Sequence, residues 1–190
     1  MGEVDDTLPK VRVTAQLREL RYDAGSPSLN LLATIGRRPS AGIERLTDVT
    51  RLRTWADGIG FPLAEGEAGA DTLAGLRRLR EEIFAVVTDA MTGRPVSPAA
   101  VNAAASISPP RLVPALHDLR WSADDLTALL ARDAIDVLLD PTRRSRLRAC
   151  DSPVCRMIFL DSPGGRPRRW CSMSRCGNTN KAAAYRDRAH

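Results

Sequence analysis

All four cysteines of the chain fall beyond residue 149, at Cys150, Cys155, Cys171 and Cys176. They read C-x4-C, a gap of 15 residues, and C-x4-C again. Two short loops that each carry a pair of thiols bring four soft donors to one point, which is what a tetrahedral Zn2+ requires. Four thiolates also close the coordination shell, so such an ion is structural and leaves no position for a reactive water. Two disulfides would give the same even count, but they belong to an oxidising compartment. A redox pair is expected as C-x-x-C beside a βαβ pattern, and this sequence has neither.

The compartment therefore matters. The first residues, MGEVDDTLPKVRV, are acidic and carry no apolar segment of the kind a secretory signal needs. No apolar run approaches the ~20 residues of a membrane span. A cytoplasmic, reducing location is expected, with no membrane partner and with reduced thiols that favour metal over disulfide. Aromatic residues make up only 4% of the chain, so its core must be built from Leu, Ala, Val and Ile. The cysteine segment is too short to bury a core of its own, so one structural Zn2+ should supply part of its folding free energy. Chelation is then expected to unfold residues 147–190 and spare the rest.

The net charge of +5 hides a division. Residues 143–190 hold twelve Arg or Lys against three Asp, a balance of +9, while residues 1–142 carry −4. A basic appendage on an acidic body is common where a protein touches nucleic acid. The same charges can form a solvated face, or dock the appendage onto the body.

Helical periodicity dominates the first 142 residues. Ser26-Pro27 opens a short helix that Gly36 stops, and a second runs from about Thr47 to Asp57. Leu73, Leu76, Leu79, Ile83, Phe84, Val87 and Met91 place one apolar stripe on a helix over 70–92. Ser97-Pro98 opens another helix, and Ser122 with Asp125 resembles a capping box for a helix that Asp140-Pro141 ends. The alternation of Val11, Val13, Ala15 and Leu17 suits a strand, and Arg111–Val113 with Leu116–Trp121 suits short strands or a hairpin. In the tail, Met157–Leu160 reads as a strand, Asp161–Gly165 as a turn, and Arg166–Trp170 as the arm leading back, a ribbon-like hairpin whose two knuckles meet at the metal. The expected class is α+β. A mainly helical domain with a few short strands spans 1–142, and a zinc-ribbon-like module ending in a helix spans 143–190.

Two tail segments go beyond spacing: LRACDSPVCRMIFLDSPGG (147–165) and RRWCSMSRCGNTNKAAAYR (168–186). They resemble the CGNR zinc-finger family, with Cys150, Cys155, Cys171 and Cys176 on the ligand positions. The body is similar to that family's amino-terminal ABATE domain through Leu29–Thr34, Trp55-Ala56-Asp57 and LRRLREEIFAVV (76–87). The resemblance implies a bacterial transcription regulator whose zinc finger binds DNA and whose amino-terminal domain senses a ligand or mediates assembly. The signature reads Cys176-Gly177-Asn178-Thr179, with Thr in the place of its Arg. Asn30 and Ala33 likewise replace the usual Asp and Asn of the family's Leu-rich segment.

For the tail as a helix from Asn178, a rotation of ~100° per residue puts Asn178, Lys181, Tyr185 and Arg188 on one face, with Arg186 to one side. That face suits a DNA groove, and Arg168 and Arg169 suit the phosphate backbone. The expected DNA contacts are therefore Arg168, Arg169, Asn178, Lys181, Arg186 and Arg188. The alternative is a zinc-stapled protein-interaction or small-molecule-binding chain that does not bind DNA. Catalysis is not expected: the only histidines are His117 and His190, and no nucleophile, phosphate-loop or metalloprotease motif is present.

Overall fold

The computed structural model describes residues 13–110 and 119–188. Helices α1 (Ala15–Arg18) and α2 (Pro27–Leu32) come first, followed by the two-residue strands β1 (Ile35–Gly36) and β2 (Ile43–Glu44). Helices α3 (Val49–Gly58), α4 (Ala70–Met91), α5 (Ala99–Ser106), α6 (Ala123–Leu139) and α7 (Pro141–Ser145) complete the body. Strands β3 (Leu147–Ala149) and β4 (Ile158–Leu160), a π-helical turn at Met173–Gly177 and helix α8 (Asn178–Arg188) form the tail.

The helix starts follow their capping chemistry. The Ser26 hydroxyl accepts from the Leu29 amide, the Asp48 carboxylate from the Arg51 amide, and the Ser122 hydroxyl from the Asp125 amide at 3.0 Å. Asp140 ends α6, and its carboxylate accepts from the Thr142 and Arg143 amides to start α7. The apolar stripes of α2, α4 and α6 meet in one core, with Trp55 of α3 fully buried among them.

That core does not stop at the end of the body. Leu147, Ile158 and Phe159 from the tail strands belong to the same buried cluster as Leu29, Ile83 and Leu126. The join is close at Gly25, where φ is +93° and an added Cβ would lie 2.9 Å from both Cβ and the carbonyl oxygen of Leu160. The Ala24 carbonyl accepts from the Leu160 amide at 2.7 Å. Only glycine takes this φ freely and leaves room for β4.

Two expectations change. Of the suggested strand between Val11 and Tyr22, the described part is helix α1 and loop; the Thr14 carbonyl accepts from the Leu17 amide. A few alternating residues with no neighbouring strand leave the ladder groups unpaired, and a helical turn satisfies them. In the tail, β4 pairs with β3 (Leu147 opposite Leu160, Ala149 opposite Ile158) and not with Arg166–Trp170. Pro163 and Pro167 bring no amide to such a ladder. Instead, the Asp161 carboxylate gathers the return segment, accepting from the Ser162 and Arg168 amides at 3.0 Å each. The suggested strands at Arg111–Val113 and from Leu116 to Asp118 lie outside the described residues; Trp121 itself bridges Leu63 in parallel. Among the described residues, no helix is long and apolar enough to cross a membrane.

Candidate metal centre

The hairpin of β3 and β4 carries the first cysteine pair in its connecting loop. The Cys150 amide donates to the Met157 carbonyl, and the Cys155 amide to the Ser152 carbonyl, which closes the loop. Of the second pair, Cys171 precedes the π-helical turn and Cys176 sits on it, where the Ser172 carbonyl accepts from both the Cys176 and Gly177 amides at 3.0 Å. Such turns are rare and concentrate at functional positions. The Asp151 amide donates to the Arg169 carbonyl at 2.9 Å and ties the two loops together.

All four sulfurs lie within 4.8 Å of one another. Cys155 and Cys171 are 3.8 Å apart at Sγ, and Cys171 and Cys176 are 3.6 Å apart. A zinc tetrahedron with ~2.3 Å bonds has an edge of ~3.8 Å, so the cage fits that ion. No disulfide joins them. Crowding sets the thiols against one another. Shared hydrogen bonds lower Cys150 and raise Cys155 and Cys176. Cys171 is lowered to about 6: its contact with Cys150 raises it, while Cys155, Cys176 and the Arg21 charge outweigh that. Four thiols that cannot all ionise together are resolved by a divalent cation, which takes all four as thiolates. The cage is the site of one structural zinc, held by Cys150, Cys155, Cys171 and Cys176.

The residues around the cage were not legible as a motif. Arg21, only 5% exposed, donates to the Cys171 sulfur at 3.9 Å and forms a two-point ion pair with Asp23 at 2.7 Å. Arg175, between the second pair of cysteines, reaches the Gln16 carbonyl and the Glu19 carboxylate of the body. These arginines come from distant points of the sequence with no common spacing, so only the fold assembles them. The Arg175–Glu19 pair also docks the basic tail on an acidic group of the body.

The suggested DNA contacts divide. Arg168 pairs with Asp161 at 2.8 Å, donates to the Leu160 carbonyl and lies 4.6 Å from the Phe159 ring centre. Arg169 pairs with Asp151 at 2.8 Å but remains 73% exposed at its side chain. Asn178 and Lys181 are exposed on α8. The backbone of Arg186 and Arg188 belongs to α8, and their side chains lie outside the described positions. Thr179, where the signature has Arg, is exposed, donates to the Arg175 carbonyl and lines a cleft toward the body. Asn30 is buried, its amide oxygen accepting from the Ala24 amide. The Ala33 carbonyl accepts from Arg45.

No curated protein matches the chain. Two family models do. One, ABATE, bears the description "Putative stress-induced transcription regulator" and covers residues 25–141; the other is the CGNR zinc finger and covers 146–189. The first spans most of the body and the second encloses the whole four-sulfur cage: the chain belongs to the ABATE family and ends in a CGNR zinc finger.

Proposed function

We propose that this chain is a non-catalytic, cytoplasmic transcription regulator that binds duplex DNA through its zinc module. In this reading a body over 1–142 carries a finger over 143–190. The observation that carries it is the distribution of charge on the finger. Residues 162–169 form an unbroken exposed segment with Arg166, Arg168 and Arg169. It approaches the second cysteine pair, and beyond that pair α8 exposes Asn178, Lys181 and Tyr185. Arg168 and Arg169 pair with Asp161 and Asp151, and the tail as a whole keeps its balance of +9. Exposed ion pairs such as Arg169 with Asp151 are worth little, so a phosphate can replace the carboxylate at small cost. Arg168 also holds the finger together, because it clamps Asp161, which is buried, and packs on Phe159.

The test is binding of the zinc-loaded chain to random duplex DNA across a salt series. Affinity should fall linearly on a log-log plot, with a slope of about −0.9 per phosphate contact. Arg169→Ala with Lys181→Ala should shorten that slope by about two contacts and leave zinc content unchanged. Absence of binding at low salt defeats the DNA reading; an unchanged slope in the double variant defeats the contact assignment.

A further inference from the structure

A cleft of about 270 Å3 lies between the body and the finger. Arg21, Arg37 and Arg45 line it from the body; Arg175, Thr179 and Asn180 line it from the finger. Among the described residues its lining holds no Asp or Glu, and its anionic groups are the zinc-ligand sulfurs of Cys155 and Cys176. Two of the four arginines are balanced, Arg21 by Asp23 and Arg175 by Glu19. Arg37 and Arg45 have no carboxylate partner among the described residues.

Arg45 is the unusual one. It is 5% exposed, yet among the described residues its guanidinium makes one hydrogen bond, from Nη1 to the Ala33 carbonyl at 2.9 Å. Its Nε is buried and has no partner among those residues. The group packs directly against Gly36, where an added Cβ would overlap the guanidinium. Burial, then the charges of Arg21 and Arg175, push its pKa down to about 10 against the pull of the Cys155 and Cys171 sulfurs. Arg21, equally buried, is raised instead, because Asp23 outweighs the same burial. A buried cation without a partner is costly, and such groups are retained where something else supplies the opposite charge. The sulfurs do not bond it: the hydrogen bond from an arginine to the cage comes from Arg21. Arg37 adds a second mark, with φ at +51° in a residue that is not glycine. Strain of this kind collects at ligand sites.

We infer that the cleft binds the phosphate group of a small molecule, held by Arg37 and Arg45 at the joint between body and finger. Guanidinium forks match phosphate oxygens in two-point hydrogen bonds, and a dianion answers both unpaired charges at once. The volume lies just under the usual range for ligand pockets, which suits free phosphate or a compact phosphomonoester. Both walls contribute, so an occupant would hold the finger against the body. The site stands independently of DNA binding.

The test is calorimetric titration of the zinc-loaded full chain with inorganic phosphate and, separately, glycerol phosphate, at ionic strength matched with chloride. Saturable one-to-one binding by either probe is expected; tighter binding of the ester assigns the cleft to a phosphomonoester, and the reverse to phosphate itself. Arg37→Ala, which removes a partly buried side chain, should weaken binding about tenfold or more, as loss of a charged hydrogen bond does. Arg45→Met should do the same while one zinc per chain is retained. The proposal is overturned if neither probe binds above the chloride control, or if Arg37→Ala binds like wild type. It is equally overturned if phosphate does not bind and Arg45→Met sheds zinc, since the guanidinium then serves only to balance the thiolates.

Discussion

Gly25 carries more of the fold than its size suggests. Any larger residue there meets Leu160 at 2.9 Å and must hold φ at +93°. Gly25→Ala should therefore cost about 1–3 kcal/mol, because strain and overlap act together. Denaturant melts of the two proteins will show it as a lower midpoint, and an unchanged midpoint would mean that β4 can move away. Glu44 makes a second claim at this scale. Burial raises its pKa, but Arg80, bound at 2.7 and 2.9 Å, and the Leu46 amide lower it further. A carboxylate lowered on folding adds stability above its unfolded value of 4.5 and loses it as pH falls through the folded value. The stability gap between wild type and Glu44→Gln should thus narrow from about pH 7 to about pH 4. A gap independent of pH would show that the pair contributes nothing through charge. At this scale the ligands were legible and their surroundings were not. Cysteine spacing is a short-range signal, whereas Arg21 and Arg45 matter only through positions that the fold brings together.

Elements were legible where a local signal sets them. The stripe over α4, the caps at Ser26 and Ser122 and the stop at Asp140-Pro141 all act within a few residues. Ser122→Ala removes the acceptor for the Asp125 amide and should cost about 1 kcal/mol, readable as a fall in Tm. No change in Tm would mean that another group takes over the cap. What failed was pairing. The sequence shows that Ile158–Leu160 is a strand, but its partner depends on which neighbour brings free amides. Leu147–Ala149 does so, while the segment with Pro163 and Pro167 does not. The short alternation around Val13 failed for the same reason, since it has no partner strand and becomes a helical turn.

For the whole molecule, the tail is not an appendage in the mechanical sense. Its charge differs from that of the body, but Leu147, Ile158 and Phe159 complete the body's core, and Arg175 and Arg21 link the cage to the body from either side. The expectation that chelation unfolds the tail and spares the body therefore changes. Zinc binding supplies folding free energy to the strands, and the strands cover α2. The charge contrast that suggested two separate units remains useful for a different purpose: it separates the face that docks on the body from the face that stays free. The zinc cage thus fixes finger and body into one cooperative structure. Hydrogen exchange on the zinc-loaded chain, before and after chelation, reads that cooperativity residue by residue. Protection should fall in Leu147–Ala149 and Ile158–Leu160 and, with them, in Pro27–Leu32 of the body. Loss confined to the tail, with α2 fully protected, would contradict it.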